Sequence, residues 1–115
     1  MPYDAPFAER VRTALQRRSG IVEKRMFGGL AFLLHGNMSV AVWQKSLILR
    51  LGAPAAARAL EHFFVRPFDL TGRPMTGWVM IAAADLQNDD ELRDWIGQSV
   101  RFVRTLPAKA KKKKS

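Results

Sequence analysis

Cysteine is absent from the 115 residues, which excludes disulfide stapling, thiol catalysis, iron–sulfur ligation and thiolate zinc sites together. Histidine is scarce. His35 and His62 are the only two, and neither has a partner at His-x-x-x-His or His-Glu-x-x-His spacing, so neither a metal nor a cofactor is expected. Long apolar runs are missing too: Gly28 to Leu34, for one, falls far short of the ~20 residues of a membrane-spanning helix. No membrane insertion is predicted. Met1-Pro2-Tyr3-Asp4 lacks the basic-then-apolar order of a secretory signal, so a cytoplasmic chain is expected and the sequon Asn37-Met38-Ser39 is read as chance. Phe27-Gly28-Gly29 is the most conspicuous glycine signal, but neither a Gly-x-Gly-x-x-Gly nor a Gly-x-x-x-x-Gly-Lys-Ser/Thr pattern surrounds it. None of the five serines sits in a Gly-x-Ser-x-Gly elbow.

What is present is enough for a core. Hydrophobic residues make up 48% of the chain and aromatics 10%, which rules out global disorder at a length typical of one domain. The net charge of +9 is uneven. Residues 107–115 hold five lysines and no acid, so residues 1–106 carry fourteen basic against ten acidic side chains. Pro107 stops whatever precedes it and the following lysines repel one another, so the sequence divides into a domain, 1–106, and a disordered lysine-rich tail, 107–115.

Phe7, Val11, Ala14 and Leu15 fall at i, i+4, i+7 and i+8, with Arg10, Arg12, Arg17 and Arg18 mostly on the other side, which predicts an amphipathic first helix. Asp4 is positioned to accept from its first amides, Pro6 suits its first turn, and Ser19-Gly20 marks its end. Lys24 to His35 reads as a strand containing Gly28-Gly29 as a bulge or a close backbone approach. Met38, Val40 and Val42 alternate with Ser39, Ala41 and Trp43 in a second strand, and Leu47, Leu49 and Leu51 alternate in a third. Gly36-Asn37 supplies a tight turn between the first two, and Gln44-Lys45 the next. Gly52-Ala53-Pro54 opens a short alanine-rich helix to about His62. Val65–Phe68 and Trp78–Ala82 read as strands separated by a loop from Thr71 to Gly77. A last helix begins near Asn88 or Asp89, with Leu92, Trp95, Ile96, Ser99, Val103 and Leu106 as its apolar stripe. The order α-β-β-β-α-β-β-α predicts an α+β two-layer domain with an antiparallel sheet of about five strands.

Trp43 shares a face with Ser39 and Ala41, opposite Met38, Val40 and Val42. If the latter face the core, Trp43 is left for solvent or a partner, where aromatic anchors are favoured. Arg10, Arg17 and Arg18 on the first helix, with Lys109, Lys111, Lys112, Lys113 and Lys114 in the tail, are the candidate contacts to a polyanion, although no aromatic RNA-binding pattern accompanies them.

Arg25-Met26-Phe27-Gly28-Gly29, the apolar stretches Leu30–Gly36 and Met38–Val42, and Ser46-Leu47-Ile48-Leu49-Arg50 together resemble the N-terminal domain of the TfoX/Sxy competence-regulator family. Arg73-Pro74-Met75, Gly77-Trp78-Val79, Asp90-Glu91-Leu92 with Trp95, and Leu106-Pro107-Ala108-Lys109 are similar to the rest of that domain. The resemblance runs from about Phe7 to Lys109. It implies a bacterial two-layer α+β domain with a regulatory role and no catalytic residues, linked in some members to competence and transcription. Longer members carry a second, helical domain, where this sequence has a lysine tail, so a stand-alone domain is expected. The resulting expectation is a non-enzymatic interaction domain, with a protein partner or weak nucleic-acid binding through the basic tail. The alternative is a small ligand-binding protein or enzyme with a pocket near Gly28-Gly29 and the Thr71–Gly77 loop.

Overall fold

The computed structural model describes residues 3–26, 28–69 and 72–108. Its elements are α1 (Ala5–Leu15), β1 (Ile21–Met26), β2 (Gly29–Leu34), β3 (Asn37–Trp43), β4 (Ser46–Arg50), α2 (Ala53–Ala59), β5 (Val65–Asp69), β6 (Pro74–Ala82), a 3₁₀ turn at Ala83–Asp85 and α3 (Asp89–Arg104). The strands form one six-stranded sheet in the order β1-β2-β3-β4-β6-β5, and every neighbouring pair is antiparallel. The α+β class holds. The expected five strands become six, because the segment Lys24–His35 is a hairpin: Met26 pairs directly with Gly29, and Gly28 between them has φ +74°. No period announced β1. It is the sheet's edge, and Val22, Glu23, Lys24 and Arg25 are all exposed, so it lacks the one-sided apolar alternation of a half-buried strand.

Two other boundaries move for local reasons. The turn before β3 is His35-Gly36, both at positive φ, and Asn37 already pairs with Leu34, so the bend falls one residue earlier than Gly36-Asn37. Strand β6 starts at Pro74, opposite Asp69, which shortens the expected loop to the segment around Gly72. Gln44-Lys45 links β3 and β4 as expected, with Trp43 opposite Ser46. At the start of α1 the Asp4 side chain makes no capping bond. Backbone contacts hold this entry instead: Tyr3 bridges to Gln44, and the Asp4 amide donates to the Gln44 carbonyl at 2.8 Å. The helix ends at Leu15, ahead of Ser19-Gly20. For α3 the cap is Asn88, whose side chain accepts from the Glu91 amide, with Asp89, Asp90 and Glu91 in the dipole-favoured first turn.

α1 packs on α3, α3 lies across β2, β3 and β4, and α2 packs on β6. Between helices and sheet lies the core: Phe7, Val11 and Leu15 of α1, Leu92, Ile96, Val100 and Val103 of α3, and Leu30, Phe32, Leu34, Val40, Val42, Leu47, Leu49, Val79 and Ile81 of the strands. Trp95 borders it. It is half-buried against the core and meets the His62 and Phe64 rings edge-on at 5.7 and 6.2 Å, so it closes the rim of the stripe rather than filling its centre.

Strand β3 breaks its own alternation. Phe32 pairs with Val40 but Leu33 pairs with Met38, so Ser39 is an extra residue, a β-bulge. The bulge turns Ser39 and Val40 both toward the helices, where Ser39 is fully buried and its hydroxyl lies 2.7 Å from that of Ser99 on α3. Ser99 donates to the Ser39 carbonyl at 2.8 Å, so the backbone acceptor displaced by the bulge finds its partner. Met38 is thereby moved to the opposite face, with Ala41 and Trp43, which corrects its expected place beside Val40 and Val42.

Candidate interaction face

Residues alternate across a strand, so a sheet that buries Leu30, Phe32 and Leu34 under helices must present Ala31 and Leu33 on its other side. That side is also apolar. Ala31, Ala41, Ile48 and Phe68 are buried there, ringed by half-buried Met26, Leu33, Met38, Trp43, Met75, Trp78 and Met80, and no helical residue belongs to this cluster. Antiparallel sheets with one face in water ordinarily carry polar residues on it. Here the chain's methionines other than Met1, and two of its three tryptophans, gather on that face.

The face is hollowed. A cleft of about 100 Å³, walled almost wholly by carbon and sulfur, lies among Met26, Gly29, Ala31, Met38, Trp43, Phe68 and Met75. Gly29 makes it possible: a Cβ there would stand 2.5 Å from the Val42 carbonyl oxygen, so this is the close backbone approach foreseen for the glycine pair. A pocket lies near Gly28-Gly29 and the Thr71–Gly77 loop, through Gly29 and Met75, but no titratable or nucleophilic side chain among the described residues lines it. Trp43, singled out from its strand position, forms one wall. Around the apolar centre stand three cations. Lys24 shares a side of β1 with Met26, Arg50 lies over the Trp78 ring at 5.3 Å, and Arg66 sits opposite Met80.

The remaining candidate residues have other partners or lie elsewhere. Arg10 is committed to the fold: it donates to Asp89 and, at 2.7 Å, to the Leu86 carbonyl, tying α1 to the entry of α3. Arg12 bonds both Glu9 and Glu23. Its guanidinium holds the Glu23 carboxyl below the usual carboxylate range, chiefly by hydrogen bonding, and is itself raised above its ordinary value. Arg17 is exposed, and Arg18 lies along α3, where its guanidinium and that of Arg101 converge on Gly97. Neither Arg18 nor Arg101 makes an ion pair among the described residues. Lys109, Lys111, Lys112, Lys113 and Lys114, with most of the expected tail, lie outside the described residues.

The larger concavity, about 480 Å³ between α2 and α3, is open and mixed in charge, with Arg58, His62, Asp85, Glu91 and Asp94 around Trp95. No group of three or more metal-ligating side chains gathers among the described residues. No described helix is long and apolar enough to cross a membrane. Tryptophan position pointed to one wall of the open face. The Gly28-Gly29 and Thr71–Gly77 segments pointed to another part, and Met26, Met38, Phe68 and Met80 were missed, although the apolar residues on both sides of β3 carried the signal.

No curated protein and no solved structure matches the chain. A family model does: the TfoX N-terminal domain matches residues 13–103, from the second half of α1 to the last turn of α3. That span covers the hairpins, the bulged strand and both walls of the cleft, and it agrees with a regulatory or interaction domain; the chain belongs to the TfoX N-terminal domain family.

Proposed function

We propose that this chain is a non-enzymatic interaction domain of the cytoplasm that docks a partner on the open face of its sheet. The observation that supports this most is the second apolar cluster, whose methionines and tryptophans stay half-buried with no described helix over them. Methionine is flexible and polarizable, which suits a surface that must mould itself to another molecule. The cleft has the walls of a socket for an apolar side chain, and its described lining supplies none of the bases or nucleophiles that a reaction centre needs. The regulatory role follows the family, and an effect on transcription would pass through the bound partner.

A weaker nucleic-acid association is the second reading. It is supported by the lysines of residues 107–115 and by the convergence of Arg18 and Arg101 over Gly97, two cations with no described carboxylate partner. Such contacts would be sequence-independent, with a salt slope of up to about 0.9 per phosphate engaged.

The test compares the full chain, Met38→Glu and a chain ending at Leu106 in pull-downs from host lysate with and without nuclease, followed by reconstitution with each retained protein. The docking reading predicts a protein lost with Met38→Glu, kept by the shortened chain and indifferent to nuclease. Retention that depends on nucleic acid and the tail alone would favour the second reading.

A further inference from the structure

Resting on the docking reading, the charge around the open face identifies what kind of partner fits it. We propose that the face receives an acidic amphipathic helix of a partner protein, one apolar side chain entering the cleft and carboxylates meeting Lys24, Arg50 and Arg66. None of the chain's ten carboxylates occupies an open-face strand position. Glu23 turns to Arg12 on the helix layer, and Asp69 is occupied by the Gly72 amide. Asp85 lies past the end of β6, across a rim concavity from Arg66. The result is an apolar centre with an edge of one charge, complementary to apolar residues flanked by acids.

The same sign disfavours two other occupants. A second copy would bring Lys24, Arg50 and Arg66 against themselves or their neighbours, and the lysine-rich residues 107–115 of this chain would be repelled by the same rim. A single-stranded nucleic acid would need free aromatic faces to stack on. Trp78 has its ring covered by Arg50, and Trp43 is half-buried in the cleft wall, so neither offers an open platform. Laid on the sheet, a helix would cover the open face as the chain's own helices cover the other, completing a third layer.

The experiment uses the full chain with its methionine methyl groups labelled for NMR. Its probes are synthetic peptides of about four helical turns: a leucine–phenylalanine stripe set in glutamate, the same stripe set in lysine, and the glutamate peptide with its stripe replaced by alanine. A thymidine oligonucleotide serves as the fourth probe. The acidic amphipathic peptide is expected to shift the methyls of Met26, Met38, Met75 and Met80 and to bind at least about tenfold more tightly than its lysine counterpart. In Lys24→Glu/Arg66→Glu, checked for folding by circular dichroism, that preference should reverse. Equal or tighter binding of the lysine peptide at these methyls would overturn the acidic class and leave the docking face standing. Methyl shifts from the oligonucleotide in place of the peptides would assign the face to nucleic acid, and methyl shifts with chain concentration alone would assign it to a second copy. Peptide binding detected by calorimetry that leaves these methyls unshifted, or no binding by any probe, would overturn both readings.

Discussion

On its helix-covered side the sheet presents leucine, valine, isoleucine and phenylalanine sealed from water, whereas its open side rings a few buried residues with methionine and tryptophan that are only half-buried. Branched side chains in fixed rotamers specify one packing, and methionine accepts many. The difference separates two tasks within one sheet: one face holds the fold together and the other stays adaptable.

Truncation gives the largest contrast. Phe32→Ala, at a position 1% exposed in the covered core, should cost about 3–5 kcal/mol, a large share of a typical domain's stability. Trp43→Ala on the open face should cost less than Phe32→Ala, because part of its surface stays in water. Urea unfolding of both variants measures this, and equal losses would mean the open face is a second structural core.

Glycine sharpens the comparison at the junction of the faces. Gly29→Ala drives a Cβ against the Val42 backbone and should cost roughly 1–3 kcal/mol, while Gly28→Ala meets open space and should cost about 1 kcal/mol from its positive φ alone. Thermal melts rank the two. The serine pair comes next: Ser99→Ala leaves the Ser39 carbonyl and hydroxyl buried without their partner and should cost about 1–2 kcal/mol, and adding Ser39→Ala should cost less than the two single losses combined.

The helices, the β3–β4 hairpin and the α+β class were legible because each has a local cause: a 3.6-residue stripe, a two-residue turn, strands in series. Strand β1 was not, since an edge strand exposed on both sides leaves no period to read. The bulge was hidden for another reason. Ser39 is polar and sits in alternation, and only its contact with Ser99, sixty residues away, reveals that it points inward. Half of the open face followed from Trp43. The other half follows from the pairing of β4, β5 and β6, which brings Phe68, Met75, Trp78 and Met80 beside it across long stretches of sequence.

The smallest effect belongs to the covered side's rim. Glu23→Gln should lower stability by at most about 1 kcal/mol, since the Arg12 pair is more than one-third exposed. Because the folded Glu23 carboxyl lies below its unfolded value, this contribution is present above that unfolded value, about 4.3, and is lost as pH falls through the folded one. The melting difference between Glu23→Gln and the parent should therefore be seen at pH 7 and vanish in strong acid.

The most direct test of the open face as an adaptable docking surface is oxidation footprinting of the full chain, alone and saturated with the acidic amphipathic peptide. Methionine sulfoxide is read by mass spectrometry at each site. The account predicts that Met26, Met38, Met75 and Met80 all oxidise readily in the free, folded chain and become protected together in the complex. Methionines already protected in the free chain, or oxidised at unchanged rates once the peptide is bound, would contradict it.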